Sequence, residues 1–121
     1  SEEGLKTGLE ELKKIKKASK DVDVRPSAEG FIDLALAIDL LGSIDSAVST
    51  ILCALERKES RGAHQRKDFK GLDKKQAVNY IVEMINGEQF VSSQKVKNLP
   101  KELIEPMKNF KDINVDGRLL E

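Results

Sequence analysis

The sequence predicts a mainly α fold, an antiparallel three-helix bundle with a β-hairpin appended, and three observations carry that expectation. Apolar residues recur at helical spacing near the N-terminus and again between residues 43 and 60. Between them lies FIDLALAIDLLG, apolar in nearly every direction. Further on, Asn86-Gly87 separates two segments of alternating polarity, the pattern of a hairpin with a tight turn.

The first helix follows from Leu5, Leu9, Leu12 and Ile15, which fall on one stripe. Lys13, Lys14, Lys16 and Lys17 crowd its last turns, where the macrodipole favours cations, and read as a solvated face. The stretch SKDVDVRPSAEG reads as a polar crossing loop, with Arg25 extended because a proline follows it. From Phe31 the second helix should be enclosed on several sides. Gly42 is expected to end it, with Ser43 capping a third helix and Asp45 near that helix's positive end.

The third helix has two faces. Ile44, Val48, Ile51 and Leu55 form the core stripe, flanked by Ala47 and Leu52. Ser46, Ser49, Thr50 and Cys53 lie opposite, continued by Arg57 and Ser60. Such small side chains let another backbone approach closely, so the face reads either as a docking surface or as an ordinary exposed polar face. The hairpin places Val78, Tyr80, Val82 and Met84 on one side of its first strand, and must lie on the helices or on a partner to be stable. NLPKELIEPMKNF allows only a short helical turn, and the tail after it is expected to be loosely held. Residues 1–98 thus form the expected domain, of spectrin-repeat-like helical arrangement. Residues 99–121 form an irregular tail whose Leu120-Glu121 resembles a vector remnant.

Composition narrows the function. The 121 residues hold 21 basic and 21 acidic side chains, a zero formal charge that argues against a general nucleic-acid binder. No apolar run approaches a membrane span, and the first residues lack the pattern of a signal peptide. The one cysteine, Cys53, excludes an internal disulfide and is compatible with a reducing cytoplasm. Neither the dinucleotide nor the P-loop glycine pattern occurs, and a metal site is poorly supported by one histidine and one cysteine. The Gly4–Gly8 spacing lies in a polar segment and carries no membrane-dimer meaning.

The chemistry-rich stretch is ERKESRGAHQRKDF. Glu56, Arg57, Lys58 and Glu59 are expected to finish the third helix, with Gly62 in the left-handed position after it. Arg57, Arg61 and Arg66 alternate with Glu56, Glu59 and Asp68, so they can pair internally or with a foreign carboxylate. A Ser60–His64 nucleophile and base lacks a nucleophile elbow and an orienting third residue.

ALERKESRGAHQRKDF after an apolar helix resembles the C-terminal helical domain of the succinate dehydrogenase/fumarate reductase flavoprotein family, which also includes L-aspartate oxidase. The resemblance runs from GLEEL through the helices, the ESRGAH turn and the hairpin to about Val96. Gln65 stands where that family commonly has a small or aromatic residue, and Lys70 where a proline often follows.

The resemblance implies a piece of an FAD-dependent oxidoreductase acting on succinate, fumarate or a similar dicarboxylate, with FAD and catalysis located in other domains. It implies no catalytic, cofactor-binding or metal residue here, and an isolated chain without activity. The expected task is bracing the flavin-binding domain: Arg57, Glu59, Ser60, Arg61, His64 and Arg66 as the polar docking group, Ser49, Thr50 and Cys53 as the close-packing face. An iron–sulfur subunit is a further partner in respiratory members. The expected location is the cytoplasm, at the inner membrane face where partner subunits hold it. The rival expectation is a free-standing helical module that binds a protein through the same charged turn.

Overall fold

A computed structural model describes residues 1–25, 27, 31–100 and 102–104. Two long helices come first, α1 (Glu2–Ala18) and α2 (Phe31–Glu56), followed by an irregular charged segment and the strands β1 (Val78–Ile85) and β2 (Glu88–Lys95). Residues 102–104 are helical. Of the expected tail only residues 99, 100 and 102–104 are described, and Leu120-Glu121 lies outside the described residues.

The N-terminus of α1 is set by Ser1, whose Oγ accepts from the Gly4 N–H at 3.3 Å, with Glu2 and Glu3 in the first turn and Lys16 and Lys17 in the last. These charges complement the helix dipole at both ends. α1 runs antiparallel to α2: Gly8 lies against Ile51, and Lys16 Nζ meets Asp45 2.6 Å away. A Cβ on Gly8 would come within 3.4 Å of the Ile51 side chain, so the two helices approach closely here. The expected stripes do face inward, with Leu5, Leu9 and Leu12 half-buried beside Ile44, Val48, Ile51 and Leu55. Ile15 stays largely exposed, and Ile44 is the one fully buried hydrophobic residue among those described.

The three-helix expectation needs correction. No boundary occurs at Gly42 and Ser43, because α2 is continuous from Phe31 to Glu56. Gly42 weakens a helix by about 1 kcal/mol relative to alanine, whereas stopping there would leave two sets of unpaired backbone groups. The Ser46 hydroxyl folds back 2.8 Å from the Gly42 carbonyl, so serine serves inside the helix instead of capping one. Asp45 likewise sits mid-helix. The expected enclosure of Phe31–Leu41 is also absent among the described residues: Phe31 is 71% exposed and Ile38 63%.

The hairpin matches its expected turn. Asn86 and Gly87 have φ of 52° and 82°, the two positive values that a two-residue turn of this hand requires. Val82 pairs with Val91 and Tyr80 with Ser93. The face carrying Val78, Tyr80, Val82 and Val91 is half-buried toward α2. At its far end Gln89 Nε2 donates to the Asp45 carbonyl at 2.9 Å, and its Oε1 lies 2.9 Å from Ser49 Oγ. Met84, expected on the covered side, is 52% exposed, although its cross-strand partner Gln89 reaches α2.

Gly42→Ala tests the continuity of α2. With open space around the added Cβ, it should stabilise the chain by about 0.5–1 kcal/mol and raise Tm by a few degrees in thermal unfolding. A helix that ended at Gly42 would be destabilised by the same change.

Candidate functional site

The end of α2 defines the site. The helix stops at Glu56, so Arg57, Lys58 and Glu59 lie beyond it instead of completing it. Gly62 is not the helix terminator either. It occupies a separate turn in which the Arg61 and His64 backbones exchange hydrogen bonds of 2.8 and 3.0 Å. Its φ of +56° is the left-handed value that favours glycine.

Beyond Glu56 the chain folds back and satisfies the orphan carbonyls at the helix end. Arg57 N–H donates to the Cys53 carbonyl. Arg66 Nη1 donates to the Ala54 carbonyl, and the Tyr80 hydroxyl lies 3.2 Å from the Glu56 carbonyl. His64 Nε2 lies 3.1 Å from the Arg57 carbonyl, so that nitrogen carries the proton. A cationic Arg66 at this negative helix end is favoured by the dipole.

Two ion clusters fill the corner. In the first, Glu59 is buried and its carboxylate accepts from Arg57 Nη1 and Arg61 Nε, both at 2.7 Å. It also accepts from Arg61 Nη2 at 3.1 Å and from the Asp73 N–H at 2.9 Å. Arg57 continues to the Gln76 and Val78 carbonyls and stacks over the Tyr80 ring at 4.7 Å, which ties the corner to β1. Burial opposes ionisation of Glu59, but the donors from Arg61, Asp73 and Arg57 outweigh it and hold the carboxyl down to about 2.

In the second cluster Arg66, 4% exposed, makes a bidentate pair with Asp68 at 2.8 and 2.7 Å and stacks over Phe69. Asp68 Oδ2 also accepts from the Glu2 N–H at 2.7 Å. Its carboxyl is held far below the usual range, first by the Arg66 hydrogen bond. The start of α1 and the end of α2 are thereby joined through one arginine–aspartate pair.

Ser60 and His64 do not form a dyad. The Ser60 hydroxyl accepts from the Arg66 N–H at 2.9 Å and lies 2.8 Å from the Phe69 carbonyl, while His64 is engaged elsewhere. Among the described residues no group of three or more metal-ligating side chains is placed to hold an ion.

The predicted close-packing face opens on a groove of about 620 Å³ lined in part by Ser49, Thr50, Cys53, Arg57, His64 and Tyr80. The nine predicted site residues therefore divide. Ser49, Thr50, Cys53, Arg57 and His64 border the groove, whereas Glu59, Ser60, Arg61 and Arg66 do not line it. Burial pushes the Cys53 thiol up against the pull of Arg57. Asp68, Asp73 and Tyr80 were not among the predicted site residues. Only Asp68 had a signal in the sequence, an acid two positions after Arg66.

The charged clasp at the end of an antiparallel helix pair, with a hairpin strapped to it, belongs to a known domain. Residues 1–109 match the family described as "Fumarate reductase flavoprotein C-term". The chain belongs to this family, the C-terminal domain of succinate dehydrogenase and fumarate reductase flavoproteins. It is 37% identical over 70 residues to the succinate dehydrogenase flavoprotein subunit of Rickettsia bellii, a stretch covering 57% of this chain and 12% of that protein. An FAD-dependent oxidoreductase of Methanocaldococcus jannaschii is 41% identical over 69 residues, again 57% of this chain and 12% of the relative. The fumarate reductase flavoprotein subunit of a Serratia species is 38% identical over 74 residues, 60% and 12% of the two chains. Each match thus spans about an eighth of the curated relative. No solved structure matches.

The depressed Glu59 carboxyl predicts acid sensitivity. Its stabilisation is complete above the unfolded value of 4.5 and is lost as pH falls toward about 2. Glu59→Gln, which leaves Arg57 and Arg61 without their carboxylate, should cost roughly 3–5 kcal/mol and flatten the stability profile between pH 4.5 and 2. Denaturant unfolding across that range checks both. An unchanged profile in the variant would remove Glu59 from the acid response.

Proposed function

We propose that this chain is the C-terminal helical domain of an FAD-dependent oxidoreductase that interconverts succinate and fumarate, or acts on a similar dicarboxylate. Its own task is to brace the flavin-binding domain. Residues 1–98 make the bracing unit, and residues 99–121 are accessory to it. Supporting this reading, the family match runs through almost the whole chain and the relatives include named succinate dehydrogenase and fumarate reductase flavoprotein subunits.

The observation that carries the reading is the internal commitment of the charged corner. The terminal nitrogens of Arg57 hold Glu59 and two carbonyls, Arg61 holds Glu59, and Arg66 holds Asp68 and helix carbonyls. A guanidinium already engaged in this way is poorly suited to gripping a flavin pyrophosphate or a dicarboxylate. The chain therefore binds no flavin and performs no turnover by itself. FAD and the reacting residues belong to the rest of the oxidoreductase, which passes electrons to an iron–sulfur subunit where one is present.

The docking role falls to what the corner presents outward. Ser49, Thr50 and Cys53 floor a groove shallow enough for a neighbouring backbone to approach. Arg57 and His64 are only half-buried and frame it on the charged side, held in shape by Glu59, Ser60, Arg61 and Arg66. No helix of the described residues is long and apolar enough to cross a membrane, so attachment at the cytoplasmic face of a membrane would come through partner subunits.

Thr50→Trp fills the groove from an exposed position. The 121-residue chain should keep its stability to within about 0.5 kcal/mol, whereas the full-length oxidoreductase should lose flavin more readily on dilution or heating. Arg61→Ala should lower Tm and flavin retention, with turnover per bound flavin kept within about twofold. Unchanged flavin retention in Thr50→Trp, or a large fall in turnover at constant stability in Arg61→Ala, would overturn the assignment.

A further inference from the structure

The charged corner divides by side-chain type. Residues 56–76 hold eight basic side chains against four carboxylates, whereas the whole chain balances 21 against 21. The three arginines are committed inside the corner, Arg57 and Arg61 to Glu59 and Arg66 to Asp68. The five lysines, Lys58, Lys67, Lys70, Lys74 and Lys75, are all exposed. Of these, Lys58, Lys67, Lys70 and Lys75 make no ion pair with any described residue. Among the carboxylates, Glu59 is buried, Asp68 is held by Arg66, and Asp73 accepts the Lys75 N–H at 2.9 Å. Glu56 is left as the one exposed carboxylate of the stretch outside those bonds.

Folding gathers these lysines at one end of the molecule. The Lys58 N–H donates to Gln76 Oε1 at 3.0 Å, which brings position 58 beside Lys75. The Ser60 N–H donates to the Gly71 carbonyl at 2.8 Å, which brings Lys70 to the same turn. Lys67 follows Arg66, whose guanidinium caps the end of α2. Toward the other end of α2 the sign reverses, because the helix carries Asp33, Asp39 and Asp45 before Glu56 and no cation. A formal charge of zero thus conceals a positive corner. The arginines, with their planar forks, supply its fixed geometry. The lysines, compact and hydrated charges on flexible stems, form its outer rim.

We propose that the lysine rim is the docking surface for a separate, acidic partner protein that binds reversibly. Charge complementarity carries the argument. Rim charges of one sign speed the encounter with a surface of the other sign and orient it, more than they add to affinity. The rim is distinct from the groove assigned to bracing, whose lining includes none of these lysines. A second copy of this chain fits less well. Asp45 is already held by Lys16, which leaves Asp33 and Asp39 to meet four lysines in a head-to-tail contact. An anionic membrane fits less well too. The rim lysines sit on loops and on the short 3-10 turn at Lys74–Gln76, not on the amphipathic helix in which basic clusters meet lipid. Leu72 is the one large hydrophobic residue exposed among them.

The experiment titrates an oligoglutamate peptide into the 121-residue chain and into two variants of equal charge change. Lys67→Glu with Lys70→Glu alters the rim, and Lys17→Glu with Lys20→Glu alters the exposed lysines of the α1 end as the reference. The rim pair should weaken binding at least tenfold at about 0.05 M salt and the reference pair less than twofold, with wild-type binding fading toward about 0.5 M. Carbodiimide cross-links from the peptide to the unaltered chain should fall on the rim lysines, a readout that stands even if a variant fails to fold. In the full-length oxidoreductase Lys67 and Lys70 should take up an amine label as fast as in the 121-residue chain, because a rim that meets a separate partner stays open. Equal weakening by both pairs, or cross-links spread over α1, would reduce the effect to overall charge and overturn the proposal. Slow labelling in the full-length protein would assign the rim to that polypeptide, and tighter binding to phosphatidylserine vesicles than to the peptide would assign it to a membrane. Salt-sensitive self-association blocked by the rim variant would assign it to a second copy. Each of these three results also overturns the proposal.

Discussion

Arg66 holds the two helices of this domain in register. Four of its contacts join separate parts of the chain: the Ala54 and Arg57 carbonyls at the end of α2, and both oxygens of Asp68. Asp68 in turn receives the first amide of α1. A positive group thus faces the negative end of one helix and a carboxylate faces the positive end of the next, each in the orientation the dipoles favour. A buried arginine is expensive to desolvate, and only this complete set of partners makes its position tenable.

The second cluster repeats the logic toward the hairpin. Glu59 gathers two guanidinium groups and a backbone amide, and Arg57 carries the connection onward to the Val78 carbonyl and the Tyr80 ring. The apolar core between the helices is thin, with Ile44 alone fully buried among the described hydrophobic residues. In so small a core, hydrophobic burial cannot by itself fix where each element sits. Directional ion pairs supply that geometry, even where their net contribution to stability is small.

A corner dense in arginine, glutamate and histidine resembles an active centre in composition, and its charged groups are largely paired with one another. Catalytic groups need free donors, acceptors or a pKa poised near neutrality. Here the Glu59 and Asp68 carboxyls are locked in their ionised form, and the Ser60 hydroxyl and His64 ring are engaged with backbone.

The sequence by itself determined the features that depend on near neighbours along the chain. The stripe of Leu5, Leu9 and Leu12, its counterpart on Ile44 through Leu55, and the Asn86-Gly87 turn follow from periodicity and from the positive φ values that few residues tolerate. The charged motif likewise carried the family resemblance. Tertiary structure decided what depends on competition between distant groups. Gly42 permits a helix end, yet the backbone keeps its ladder because no better partners wait for the freed amides and carbonyls. The alternation of acids and arginines left open which would pair. Asp68 became a link between helices, and Asp73 a donor to Glu59, only when folding brought Glu2 and Glu59 within 3 Å of them. Helical period is written in spacing, but the partner of a buried charge is chosen in space, among all groups that compete to replace its lost water.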